Sequence, residues 1–295
     1  MRRAVIVAAA LLACAPASAQ DPAIALLRAE QKRTPAPDRV ERYGPDDLRR
    51  GELRLPRGRG PFPVAVVIHG GCWHESYDTM AGATPLAEAL RRRGITTWNI
   101  EYRRGGNPVG GWPGTFGDVG AGVDHLAVLA RRHPLDLRRV ALVGHSAGAH
   151  LALWAAARER IGGSWASRAG VRPVAVVPID GPGAMSPFVG LDAKVCGRPV
   201  IAPFMGGTPA QKPDAYRVAD AATHVPFGIH HYPVLGSLAP HMQAYIDGAR
   251  AWGDRVEVFA PPRPNLFDVI TPSTSNGGAV ADWVAARLAS APPRR

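Results

Sequence analysis

Gly144-His145-Ser146-Ala147-Gly148 is the most chemically specific stretch of the chain. It reads G-x-S-x-G, placed after an apolar run and before an alanine- and leucine-rich one, the strand–turn–helix setting of a nucleophile elbow. Such a turn lifts a serine hydroxyl clear of the sheet, and its glycines let strand and helix pass closely. The helix N-terminus adds a positive dipole beneath developing negative charge. Ser146 is therefore the expected nucleophile of acyl transfer. A second stretch, His69-Gly70-Gly71-Cys72-Trp73, directly follows another apolar run. Here a glycine turn can aim the N–H groups of Gly71 and Cys72, together with that of Ala147, at an oxyanion. Each such donor typically contributes about 2.7–4 kcal/mol. His69 and Trp73 are the expected walls of the substrate pocket.

A serine nucleophile needs a base within hydrogen-bond reach and a carboxylate to orient that base. Asp180 closes the strand after the elbow helix and is a candidate acid, against the plainer reading of a turn carboxylate before Gly181. His241 is a candidate base, against the plainer reading of a surface histidine opening a helix. His224, His230 and His231 sit at the end of the irregular stretch read below as a lid; they read as exposed or structural, with the alternative that a lid histidine reaches down to the serine. His145 and His150 flank the elbow and read as packing residues, and Asp268 as the shaper of the final turn. Metal chemistry is not indicated: His230 and His231 point apart on a strand, His69 and His74 lack a third ligand at a useful spacing, and H-E-x-x-H is absent. No G-x-G-x-x-G follows the first strand, so no cofactor is expected.

The elements that must position these groups alternate. Pro63 to Ile68 reads as a strand buried on both faces, followed by a helix from Thr84 to Arg93 and a strand from Ile95 to Tyr102. A glycine- and tryptophan-rich loop, Arg103 to Phe116, leads to a helix from Asp118 to Arg132. Strand Val140–Val143, helix Ala147–Arg158 and strand Val174–Ile179 come next. From Gly181 to Phe227 periodicity fades, which suggests a lid with short helices of its own. Strand Tyr232–Leu235, helix His241–Trp252, strand Arg255–Phe259 and helix Gly278–Leu288 complete the pattern. Residues 20–50 are polar and proline-bearing and read as a lead-in to a domain spanning 51–295. The alternation implies an α/β fold with a mostly parallel sheet covered on both faces.

The 295 residues carry 46% hydrophobic and 20% charged side chains, enough for a sizeable core and against wholesale disorder. The formal charge of +11 is carried mainly by scattered arginines with no reader motif, so nucleic acid is not an expected partner. After the N-terminus no apolar run is long enough to span a membrane. Residues 1–19 read as an export signal: Arg2 and Arg3, an apolar stretch from Ala4 to Cys14, and the cleavage site Ala17-Ser18-Ala19. A lipoprotein signal ending at Cys14 is the alternative. Either way the mature chain is expected outside the cytoplasm, periplasmic or secreted. Cleavage leaves Cys72 and Cys196, either bridged or as two buried thiols.

The motifs HGGCW and GHSAGA resemble those of α/β-hydrolases of the esterase and kynurenine-formamidase-like group. Trp98-Asn99-Ile100-Glu101-Tyr102-Arg103-Arg104 and Gly111-Trp112-Pro113-Gly114-Thr115-Phe116 extend the likeness, which runs from about Tyr43 onward and is weakest in the last third. The resemblance implies an α/β-hydrolase fold and action on a small ester or amide. It also implies an acid in a segment of the type HGxxDxxVP and a histidine in a GxxHF-type turn. The chain instead reads Leu235-Gly236-Ser237-Leu238-Ala239-Pro240-His241 and Pro264-Asn265-Leu266-Phe267-Asp268, with Leu266 in the histidine's register and no histidine beyond His241. Two expectations follow: an exported serine hydrolase with a re-sourced base, or a hydrolase fold that has lost its proton relay and serves as a binding protein.

Overall fold

A computed structural model describes residues 22–294; the expected signal segment, with Cys14, lies outside them. In chain order the elements are α1 (Pro22–Arg33), β1 (Arg39–Arg42), β2 (Arg50–Arg54), β3 (Phe62–Ile68), α2 (Thr84–Arg92), β4 (Thr96–Ile100), α3 (Gly114–Asp124), α4 (Leu126–Leu129) and β5 (Leu135–His145). Then come α5 (Ala147–Ile161), β6 (Ala175–Ile179), α6 (Asp192–Cys196), α7 (Ile201–Met205), α8 (Pro213–Ala219), β7 (His230–His231), α9 (Gln243–Ala251), β8 (Arg255–Val256) and α10 (Ser275–Ser290). Among the described residues the strands form one eight-stranded sheet in the order β1-β2-β4-β3-β5-β6-β7-β8. The β1–β2 and β2–β4 pairings are antiparallel and the remainder parallel. This is the α/β-hydrolase fold.

The two-sided burial of the central strands follows from their continuous apolar runs. In β3 and β5, Val64, Val66, Ile68, Val140 and Leu142 enter one core, which also holds Phe116, Leu151 and Trp154 from α3 and α5. The alternate residues Ala65, Val67, Ala141 and Val143 enter the other, with Leu86 and Leu90 of α2 and Val280 and Val284 of α10. Each strand is thereby held on both faces, and its carboxyl end is fixed as a platform for the loops above.

Several boundaries differ from expectation. The lead-in contains a helix and an edge strand, α1 and β1, whose burial is slight: Leu27 is the buried residue of α1, and β1 is mostly exposed. The helix expected from Asp118 to Arg132 starts at Gly114 and breaks at His125 into α3 and α4. β5 is longer than its apolar centre, because Leu135 pairs with Phe62 ahead of a register shift. β7 covers His230–His231 rather than Tyr232–Leu235, where Val234 makes only isolated bridges to Ile179 and Phe259. His241 ends a 3-10 turn (Ala239–His241) ahead of α9, and β8 stops at Val256. α10 runs three residues further than expected at its start, capped by the Thr274 hydroxyl accepting from Gly277 N.

Segment 181–227 has short helices, as expected, and two buried carboxylates organise it. Asp192 accepts from the N–H groups of Gly190, Ala193, Val200 and Ile201. Asp220 accepts from Met185 N and Ser186 N. Polar caps in place of an amphipathic stripe are the reason this stretch lacks hydrophobic periodicity. Among the described residues no helix is long and apolar enough to cross a membrane.

Candidate active site

The β5–α5 turn places Ser146 at φ 53°, ψ −120°, a left-handed conformation that only a tightly packed turn imposes on a non-glycine residue. Its N–H donates to Ile179 O at 2.9 Å, and its carbonyl accepts from Ala149 N at 2.9 Å. The flanking glycines are required by contact. A β-carbon on Gly144 would lie 2.0 Å from Gly148 O, and one on Gly148 would lie 2.2 Å from Ile68 O and 2.4 Å from His69 O. Ser146 is half-buried.

The glycine turn after β3 rests on this elbow. A β-carbon on Gly70 would lie 3.1 Å from Ser146 Cβ. Gly71, Cys72 and Trp73 all have positive φ, at 103°, 51° and 53°. The N–H groups of Gly71, Cys72 and Ala147 make no hydrogen bond among the described residues. Behind the turn His69 is buried, not facing a pocket as expected. Its Nδ1 lies 2.7 Å from Gly70 O, its Nε2 lies 2.8 Å from Glu101 Oε1, and its ring stacks on Tyr102 at 4.3 Å. It supports the turn from below. Trp73 is buried too, edge-on to His150 and to Phe188 of segment 181–227, with Phe204 of α7 beside it.

Burial pushes the Glu101 carboxyl up, but the charge and hydrogen bond of His69 and the charge of Arg104 hold it down to about 2, against an ordinary 4.5. A carboxyl depressed on folding stabilises above its unfolded value and loses that contribution as pH falls through its folded one. At ~1.36 kcal/mol per pH unit the Glu101 interactions together are worth about 3 kcal/mol at most. Guanidinium unfolding of the wild type is expected to lose this stability between pH 4.5 and pH 2. Glu101→Gln should be less stable at pH 6 and flatter across that range; parallel curves would exclude Glu101 as the source.

Asp180 is fully buried at φ 41°. Its carboxylate accepts from Ser237 N at 2.9 Å, Ser237 Oγ at 3.0 Å and Leu238 N at 2.6 Å. It lies directly over Gly236, where a β-carbon would meet Asp180 Cγ at 2.2 Å. Gly181 packs on the elbow, with a β-carbon there 2.3 Å from Ser146 O. Asp180 thus ties the loop after β7 to the loop carrying Ser146.

No imidazole is hydrogen-bonded to Ser146 Oγ among the described residues. His145 donates from Nε2 to Leu266 O at 2.7 Å, and burial lowers its pKa against the pull of Asp180. His150 donates from Nε2 to Ala219 O at 3.0 Å, and burial lowers it likewise. Both are packing residues, as expected. His231 is held between Tyr245 and Asp254, and His224 donates to Arg217 O. His74, His125 and His133 also have polar partners. The two rings without one are His230 and His241. His230 pairs with Ala175 at the start of β6, the end of the sheet away from Ser146. His241 is half-buried and edge-on to Phe188 at 4.8 Å, and its carbonyl accepts from Gly183 N, two residues past Gly181.

Cys72 and Cys196 are bonded, with their Cα atoms 6.1 Å apart. Sequence left this pairing open because it depends on two loops meeting. No group of three or more metal-ligating side chains lies together among the described residues.

The BD-FAE family model matches residues 52–232. Over 111 residues the chain is 32% identical to a probable isoprenylcysteine alpha-carbonyl methylesterase of Arabidopsis thaliana, covering 37% of this chain and 22% of that protein. Over 113 residues it is 33% identical to a kynurenine formamidase of Meyerozyma guilliermondii, covering 38% and 40%. The chain thus spans less than half the length of these relatives. Esterase B from Lactobacillus rhamnosis, in a structure inhibited by a tributyrin phosphonate, superposes with a TM-score of 0.73 at 19% identity, over 90% of this chain and 91% of that one. A truncated carbohydrate esterase from gut microbiota gives 0.70 at 16%, over 86% and 98%. These two likenesses are likenesses of fold.

Proposed function

The chain belongs to the BD-FAE family, and from that premise we propose that it is an exported, esterase-like serine hydrolase of small carboxylic esters or amides. The names of its relatives, a methylesterase and a formamidase, support that substrate class. The observation that carries the reading is the contact between a left-handed Ser146 and a turn with unengaged N–H groups at Gly71 and Cys72.

In this reading Ser146 Oγ attacks the substrate carbonyl and forms the acyl-enzyme. The N–H groups of Gly71, Cys72 and Ala147 hold the oxyanion of the tetrahedral intermediate. His241 is the base: its ring nitrogens are unengaged and its backbone is tied to the loop that rests on Ser146. Asp180 holds the backbone from which His241 reaches, through Ser237 and Leu238. Its carboxylate is the nearby acid, available to compensate an imidazolium. Segment 181–227 is the lid of a single domain. Export through the 1–19 signal suits a chain with a disulfide, since such bonds persist in oxidising compartments.

The engagement of eight of the ten imidazoles elsewhere, and of none by Ser146, favours a second reading: a pseudo-hydrolase that binds esters without turning them over. A fluorophosphonate probe separates the two. The first reading expects stoichiometric labelling, with the adduct on the peptide bearing Ser146. An unlabelled serine in folded protein would leave the second.

A further inference from the structure

The Cys72–Cys196 disulfide joins the two parts of the site that have no covalent neighbourhood in sequence, the oxyanion turn and the lid. Cys72 sits in the middle of three consecutive left-handed residues, Gly71, Cys72 and Trp73, of which only the first is a glycine. Such a backbone persists only where its surroundings over-determine it. The turn's own hydrogen bonding is thin: His74 N donates to Gly71 O, and Gly105 N to Trp73 O. Beyond the elbow, His69 and His150, further restraint comes from the lid. Trp73 is packed by Phe188 and Phe204, and Cys72 is bonded to the last residue of α6. The same end of α6 is stitched down again by Tyr77, whose hydroxyl donates to Cys196 O. Arg198 adds bonds from its guanidinium to His74 and Ser76 and lies 5.7 Å over the Tyr77 ring. The Tyr77 and Arg198 contacts are carried by exposed or half-exposed side chains, and α6 itself is only five residues long. The covalent bond is the strongest restraint on either partner; Cys72 is half-exposed and Cys196 is buried.

We propose that this disulfide is a redox-sensitive staple: reduction releases the lid from the glycine turn, lets Cys72 and Trp73 leave their left-handed conformation, and withdraws the Cys72 N–H from the oxyanion position. The step is two-electron thiol–disulfide exchange. The dithiol closes to its cyclic disulfide, the Cys72–Cys196 bond breaks, and the dithiol's two protons end on the two cysteine sulfurs. The catalytic consequence rests on Ser146 being the acylated residue; the structural consequence does not.

The test treats the folded full chain with dithiothreitol, verifies two new thiols by titration, and reads two quantities. One is hydrogen exchange of the backbone around residues 70–78 and 186–204. The other is the rate of fluorophosphonate labelling. Reduction is expected to accelerate exchange in both segments together and to slow labelling at least tenfold. Reoxidation with oxidised glutathione should restore both. Cys196→Ser, which keeps the Cys72 backbone, should match the reduced wild type and ignore dithiothreitol. If Cys196→Ser does not fold, the reversible cycle on the wild type carries the test. Unchanged exchange in verified reduced protein overturns the staple. Accelerated exchange with an unchanged labelling rate overturns its link to the oxyanion turn. Absence of labelling in the oxidised protein overturns the acylation reading instead, and the exchange data then decide the staple alone.

Discussion

Ser146→Ala is expected to lower hydrolysis of p-nitrophenyl acetate about 10³-fold, to the level left by the oxyanion donors alone, with little change in melting temperature. The hydroxyl makes no hydrogen bond among the described residues, so its removal leaves no buried group unsatisfied. The elbow's backbone bonds, Ser146 N to Ile179 O and Ala149 N to Ser146 O, do not involve the side chain. Loss of rate without loss of stability would therefore isolate a chemical role. His241→Gln belongs in the same experiment. As the base, His241 should be required for turnover, and the glutamine variant should be slow. Equal rates for wild type and Ser146→Ala would end the case for acyl transfer at this serine. A slow Ser146→Ala beside an unaltered His241→Gln would keep the nucleophile and dismiss the base.

Gly148→Ala should cost about 3 kcal/mol or more of stability. The new β-carbon would lie 2.2 Å from Ile68 O and 2.4 Å from His69 O, both backbone atoms of the segment that leads into the glycine turn. Neither can yield without moving β3 or the turn. Gly117 is the control: it is exposed on α3 with nothing within 4 Å of an added β-carbon. Gly117→Ala should raise stability by up to ~1 kcal/mol through helix propensity. Guanidinium unfolding of both variants checks the contrast. Similar midpoints for the two would mean that the close approach at Gly148 is not what its residue type serves.

The elbow and the glycine turn were legible because their chemistry is written in residue type and spacing: a serine between glycines, each glycine answering a backbone contact that no side chain survives. The central strands were legible because two-sided burial demands unbroken apolar runs. The remaining elements carry weaker local signals. α1 buries little beyond Leu27, and β1 alternates charges rather than apolar residues. β7 is built from two histidines, one of them buried and engaged by Tyr245 and Asp254, so it lacks the look of a core strand. Segment 181–227 is ordered by the caps of Asp192 and Asp220, partners that sequence distance hides. His69 was expected at the pocket and lies behind the turn, because its partner Glu101 comes from beyond the neighbouring strand β4. A base for Ser146 was the least legible part, since no local motif names one.

β1 closes one margin of the sheet with Arg39, Val40, Glu41 and Arg42, mostly exposed. A second molecule adding itself antiparallel to that margin would set guanidinium against guanidinium at both ends, Arg39 opposite Arg42, for the sake of two valines. Like charges directly across a ladder oppose pairing, and charged, short border strands are a common guard against fibre-like growth. The otherwise unremarkable lead-in to the domain therefore gives the molecule a colloidal defence, one that would weaken if those arginines were neutralised.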